Sequence, residues 1–305
     1  MLPRPKLSRR VIFILVLALF VSARPRYAEE PSVCTPGPAP SGSPVMIVEP
    51  LIHEYGPFQL AANRLQQVPP VMAFTFPEDL WLVGYQVRMV DPSGKRLPRE
   101  LQCHTFMGTS MPAHHSHEEV VGIFSDGYTE DFQLPPGFGI YFKAGEKILW
   151  TPMFNNRDTM PTMTSMRLTL DVVRAKNVNF KIIPLKTTFR TIRNPSDMYF
   201  VPPGKDIRET KFSLPFAGRI HAMGTHIHLY GVSIELFNVT RNEPVWKAVG
   251  KRDANGSLLE MPIYQNPSGY VVGKDDQFRL IATYDNPTQK PVDAMAGVFV
   301  LYTPQ

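Results

Sequence analysis

Apolar and polar residues alternate with a period of two along most of this chain. Trp81, Val83, Tyr85, Val87 and Met89 alternate with Leu82, Gln86 and Arg88, and Met166, Leu168, Leu170 and Val172 with Arg167, Thr169 and Asp171. Near the C-terminus Phe278, Leu280, Ala282 and Tyr284 alternate with Gln277, Arg279 and Thr283. Successive side chains of a strand point to opposite faces, so each run predicts a β-strand with one buried face. No window offers a convincing amphipathic helix. With 31 prolines and turn residues between short runs, the expected fold class is all-β.

One stretch departs from this pattern. Gly224 to Leu236 reads Gly-Thr-His-Ile-His-Leu-Tyr-Gly-Val-Ser-Ile-Glu-Leu. Val232, Ile234 and Leu236 alternate with Ser233, Glu235 and Phe237, and that register carried backward puts His226 and His228 on one strand face. Their roots then lie roughly 6.5 to 7 Å apart, which lets two ring nitrogens reach one metal at about 2 Å. Two half-exposed histidines on an edge strand would have the same spacing. His53 and His221 each stand alone and read as structural, His221 being out of register with the pair unless Gly224 sits in a bulge.

The chain opens with Arg4, Lys6, Arg9 and Arg10, no acid, and an apolar run from Val11 to Val21 that is too short to span a bilayer comfortably. Small residues at Val21-Ser22-Ala23 suit cleavage after Ala23, so residues 1–23 are expected to be an export signal rather than an anchor. Ser8-Arg9-Arg10 followed by Phe13 also fits a loose twin-arginine pattern. The expected location is periplasmic or secreted, with no membrane span after signal cleavage. Of the formal charge of +5, four basic residues belong to the leader, and 5 − 4 leaves about +1. No Lys/Arg-rich run follows, which argues against nucleic acid as a partner.

Residues 24–45 form a linker, rich in Pro, Gly, Ser and Ala from Thr35 to Pro44. The remainder suits two domains, and a faint internal repeat supports that count. A strand ending in Gln102-Cys103-His104 is followed by Lys147-Ile148-Leu149-Trp150 and then Phe154-Asn155-Asn156. The strand holding His226 and His228 is followed at similar distance by Phe278-Arg279-Leu280-Ile281 and Tyr284-Asp285-Asn286. Two tandem antiparallel β-sandwiches are expected, spanning 46–185 and 186–305, with the boundary near Pro184 to Asn194.

Three further features bear on chemistry. Cys34 and Cys103 are too few for a disulfide scaffold; in an exported chain they pair, or Cys103, beside His104, is a free thiolate near a metal. The segment Pro112-Ala113-His114-His115-Ser116-His117 is an exposed polar loop, or it supplies His115 and His117 to a second metal with His104. Met295 stands where a turn gives way to an apolar strand. A methionine there is commonly core, but with two imidazoles its soft sulfur favours copper, especially Cu(I), over zinc, magnesium or calcium.

The run His226-Ile-His228-Leu-Tyr-Gly, the Tyr284-Asp285-Asn286-Pro287 segment and Asp293-Ala-Met295 before an apolar strand ending in Tyr302 resemble the second domain of the copper type II, ascorbate-dependent monooxygenases. These are the peptidylglycine α-hydroxylating and dopamine β-hydroxylating enzymes, and the match is closest to their exported bacterial relatives. It covers roughly Pro203 to Gln305 well, and the first domain through Leu80 to His104 and Leu134 to Asn156. The resemblance implies two jelly-roll sandwiches with two copper sites facing across a solvent-filled cleft. The site on His226, His228 and Met295 would bind O2 and hydroxylate a substrate C–H bond, and a three-histidine site in the first domain would supply an electron from ascorbate.

That first site is altered: its paired histidines fall on Cys103 and His104 and its third near Phe154, so only His104 is retained. Cys103, His104, His115 and His117 remain as a rebuilt second set. Phe299 stands where the peptide-hydroxylating enzymes present a tyrosine, and no arginine replaces their carboxylate-binding group, so a peptide substrate is unsupported. The sequence therefore carries an oxygenase reading with an unknown small-molecule or peptide substrate, a reading as a non-catalytic copper-handling protein, and a third as an adhesive or carbohydrate-binding sandwich with incidental histidines.

Overall fold

With shorter ones beside them, eight principal strands build the first half of the protein. They are β1 (Glu49–Leu60), β2 (Met72–Thr75), β3 (Leu80–Val90), β4 (Gln102–Gly108), β5 (Gly122–Asp126), β6 (Phe138–Phe142), β7 (Lys147–Asn156) and β8 (Thr162–Arg174). A computed structural model describes residues 46–67, 69–109, 122–129, 131–192 and 198–305. The expected signal and linker (residues 1–45), Cys34, His115 and His117 lie outside them. Eight more strands follow: β9 (Lys186–Thr191), β10 (Gly204–Ser213), β11 (Gly218–Ile227), β12 (Gly231–Asn238), β13 (Glu243–Val249), β14 (Tyr264–Val272), β15 (Gln277–Asn286) and β16 (Ala296–Pro304).

Strand order makes each half a jelly roll. In the first, one sheet runs β1-β8-β3-β6 and the other β2-β7-β4-β5; in the second, the sheets run β9-β16-β11-β14 and β10-β15-β12-β13. In both halves the first strand lies beside the eighth, the third beside the eighth and the seventh beside the second and fourth, which is the double Greek key wrapping of this fold. Every pair of neighbouring long strands is antiparallel. The fold is thus two antiparallel β-sandwiches in tandem, and among the described residues there is no α-helix and no helix long and apolar enough to cross a membrane.

The repeat has a physical basis in β7 and β15, which occupy the same place in the two wraps and alternate buried and part-exposed positions identically along their lengths. Each ends in a buried asparagine that closes the next turn. Asn156 donates to the Met160 carbonyl at 3.0 Å and accepts from the Asp158 amide at 3.0 Å. Asn286 donates to the Lys290 carbonyl at 2.9 Å and accepts from the Thr288 amide at 3.0 Å.

The histidine and cysteine strands do not correspond in this way. Cys103 begins a fourth strand, whereas His226 ends a third. The single strand expected from Gly224 to Leu236 is in fact two, in different sheets. β11 stops at Ile227, the Gly231 amide donates to the His228 carbonyl at 2.8 Å, and β12 resumes in the opposite sheet. Gly231 is required at this turn, since a Cβ there would meet Ile227 Cδ1 at 2.5 Å. A register slip also occurs in β11, between Ile220 and Ala222 rather than at Gly224.

β11 and β16 are buried almost end to end, without the usual alternation. One face of each packs on its own sandwich, through Ile220, Met223, Val298, Val300 and Tyr302. The other carries Ala222, Phe299 and Leu301 into the apolar cluster of the first sandwich. Phe124 of β5 stacks on Phe189 at 4.7 Å between ring centres and lies 6.0 Å from Phe299. Phe299, the position at which the resemblance set a phenylalanine in place of a tyrosine, is therefore an apolar contact between sandwiches. The candidate chemistry sits at the rim of this contact.

Candidate metal centre

Each sandwich brings the corner between its third and fourth strands to one point. From the first come Cys103 and His104 at the start of β4, and Asp126 at the end of β5. From the second come His226, one residue before the end of β11, and His228 in the turn after it. Asp293 lies in a short strand, Val292–Ala294, that pairs with Tyr199–Val201. Cys103, His226 and His228 are all buried, and their ligand atoms lie within 4.8 Å of one another.

The two imidazoles are oriented alike. His226 Nδ1 lies 3.2 Å from Asp126 Oδ2, and His228 Nδ1 lies 3.0 Å from Asp293 Oδ2. An ionised carboxylate only accepts, so a ring facing one is protonated at Nδ1 and turns Nε2 the other way; Asp293 is such a partner for His228, and Asp126 is one for His226 when ionised. His228 Nε2 then faces Cys103 Sγ at 3.9 Å. His226 Nε2 is buried with no hydrogen-bond partner. An uncompensated lone pair in a protein interior is costly, and a metal ion satisfies it. Carboxylates behind both ligating histidines are the usual supports of a metal site, fixing ring orientation and raising basicity.

The space between these groups is a cavity of about 10 Å³, bordered by Gln102, Cys103, Tyr128, Asn155, His226 and His228 among others. That is room for about one atom of water size. Asn155 Oδ1 is a second buried atom without a partner on the same cavity. Donors around one ion at 2.0 to 2.3 Å stand roughly 3.5 Å apart, so the set needs only a small contraction to close. The residues present fit a single metal ion.

Burial and neighbouring charges shift each of these groups. Burial opposes ionisation of Cys103, yet His104 and His228 outweigh it and bring the thiol down to about 6. Burial likewise opposes charge on His228, but its bonds to Asp293 and Cys103 carry it up to about 9. Asp293 is brought down to about 2: burial raises it, and the hydrogen bond from His228 and the Arg157 guanidinium outweigh burial. Arg157 holds it from the first sandwich at 3.2 Å. His226 is kept well below the ordinary histidine range by burial and by its neighbour His228, so it stays neutral with its lone pair free. Burial lifts Asp126 to about 7 despite amide donors from Tyr128 and Thr129.

The sequence reading divides the candidates between two sites facing across a solvent-filled cleft; the structure gathers Cys103, His104, His226 and His228 into one enclosed cluster. His104 approaches Cys103, its Nδ1 being 3.5 Å from the sulfur, and its ring lies edge-on to His226 at 5.1 Å. Cys103 is a free thiol. Met295 is buried, and its carbonyl receives the His228 amide at 3.3 Å and the Tyr284 hydroxyl at 3.0 Å, so its main chain is fixed against the pair. Phe154 is core, packed on Phe58. His53 stacks on Phe74, and His221 contacts the Pro267 carbonyl and Thr303 Oγ1 while its ring covers Phe138 at 4.3 Å; both are structural, as expected.

No family model matches this chain, and no curated protein matches it. Among solved structures, the major capsid protein P2 from bacteriophage PM2 aligns over 83% of this chain and 98% of its own, with 9% identity and a TM-score of 0.34. A likeness so distant carries nothing about function.

Sequence reasoning missed the supporting carboxylates. Asp126 closes a strand before Gly127 and bonds the Tyr128 amide through its other oxygen at 3.0 Å, so in sequence it reads as an ordinary turn residue. Asp293 lies two positions before Met295, but only the fold shows that it faces His228.

Proposed function

We propose that this protein binds one copper ion between Cys103, His226 and His228 and acts outside the cytoplasm as a copper-holding or copper-handling protein. The observation that supports this reading is the setting of the two imidazoles: a carboxylate meets each Nδ1 atom, His228 Nε2 faces the Cys103 thiol, and His226 Nε2 is buried without a hydrogen-bond partner. Thiolate with imidazole is a soft donor set suited to copper and zinc and poorly suited to magnesium or calcium. Bound copper would supply a one-electron Cu(I)/Cu(II) couple. Asp126 and Asp293 would fix the rings, Phe124 lies against the His226 ring, and the cavity between the donors is small, about 10 Å³. These features favour holding over hydroxylating.

A second reading, an ascorbate-dependent copper monooxygenase acting on an unknown C–H bond with O2, draws on one observation. A cleft of about 370 Å³ bordered by Arg96, Arg99, Tyr128 and Met261 shares the Tyr128 wall with the metal cavity.

Metal counting with electron paramagnetic resonance on protein refilled with Cu(II) tests both. One copper per chain with nitrogen ligation, a strong visible sulfur-to-copper band, and loss of all three in His226→Ala are the expected results. Two coppers per chain favour the oxygenase. Zinc in preference to copper removes the redox reading, and no bound metal removes both.

A further inference from the structure

The donors of the proposed centre belong to different sandwiches. The first supplies Cys103 and borders the cavity with Asn155, whose Oδ1 is buried without a partner, and the second supplies His226 and His228. The supports cross as well, Asp126 of the first sandwich holding His226 of the second and Arg157 of the first holding Asp293 of the second. Polar links cross the contact elsewhere among the described residues too. Gln265 Nε2 donates to the Gln133 carbonyl at 2.6 Å, Arg99 Nη1 donates to the Leu259 carbonyl at 2.6 Å, and the Met261 amide donates to the Tyr128 carbonyl at 3.0 Å. At the centre itself the direct link is a Cys103–His228 approach of 3.9 Å, long even for a sulfur hydrogen bond.

We infer that the bound ion is a clasp between the two sandwiches, joining Cys103 of one to His226 and His228 of the other and setting how often their contact opens. This rests on the reading of the site as a metal centre. Without the ion the contact relies on apolar packing, Phe124, Phe189, Ala222, Phe299 and Leu301 among it, and on hydrogen bonds such as these. With it, any motion that separates β4 from β11 must break a metal–sulfur or metal–nitrogen bond. A ligand that binds only the closed form suppresses opening in proportion to its free concentration over Kd, about a hundredfold at a hundred times Kd.

The test is hydrogen exchange on the full chain, with and without cuprous ion in anaerobic buffer, with metal counted on the same samples. The Met261 amide, whose acceptor lies across the contact, should exchange about a hundredfold more slowly at copper a hundred times above Kd. Amides in the β12–β15 ladder, inside one sandwich, should be unmoved. Cys103→Ser, nearly isosteric and without the thiolate, should retain weaker copper on the two histidines and show no slowing at Met261. One copper bound with Met261 unchanged, or equal slowing in the serine variant, overturns the clasp and leaves the metal centre standing. If no copper binds, the metal reading itself fails and the clasp with it.

Discussion

Asp126→Asn separates support of a metal ligand from support of the fold. Asp126 is fully buried; one oxygen receives His226 Nδ1 at 3.2 Å and the other the Tyr128 amide at 3.0 Å. Asparagine has nearly the same shape and keeps a carbonyl oxygen for one of these donors. It also removes a charge that burial already disfavours, since the carboxyl is lifted to about 7. The metal-free variant should therefore fold, with a melting temperature within a few degrees of wild type. What it loses is the charge-assisted bond to the imidazole, worth ~1.5 to 3 kcal/mol. At 1.4 kcal/mol per factor of ten, copper affinity should fall by roughly 10- to 150-fold. The usual effect of removing such a support is similar, about 10- to 100-fold. Competition against a chromophoric chelator measures the affinity, and circular dichroism of the metal-free protein measures the fold. Unchanged affinity, or a loss of affinity that merely tracks unfolding, would refute the role given to Asp126.

Trp150→Ala should cost ~3 to 5 kcal/mol in denaturant unfolding, since the indole is fully buried and donates to Thr105 Oγ1 at 2.8 Å; a cost under about 1 kcal/mol would contradict its place in the core. Gly269→Ala should destabilise by about 1 to 3 kcal/mol: Gly269 has φ of +74°, and a Cβ would sit 2.7 Å from Arg219 Cβ and 2.8 Å from His221 Cε1. A neutral result in thermal unfolding would mean that His221 swings aside freely.

The all-β class was legible because period-two alternation survives wherever a strand has one wet face, as in β7 and β15. The Asn156 and Asn286 turns were legible as a repeat because the same side chain solves the same backbone problem twice. The strand boundary at His228 was not. β11 is buried on both faces, so its composition gives no alternation from which to find its end, and the regular pattern of β12 was extended back across Gly231. Convergence of Cys103 on His226 was also hidden in the linear pattern: it depends on two corners meeting across a contact between sandwiches, and no local period encodes that. The i, i+2 spacing drew attention to His226 and His228, while the resemblance assigned Cys103 and His104 to a separate place.

The cavity among Cys103, His226 and His228 is scarcely larger than one water. An ion seated there would fill the space and leave little room beside it for a chelator, a donor protein's side chain or a reductant molecule. Copper held as proposed would then exchange faster when the contact between the sandwiches opens, and its residence time would reflect the frequency of those openings as well as the strength of the bonds holding it. Electrons, which tunnel, face no such barrier: a cargo slow to leave would still be quick to change oxidation state.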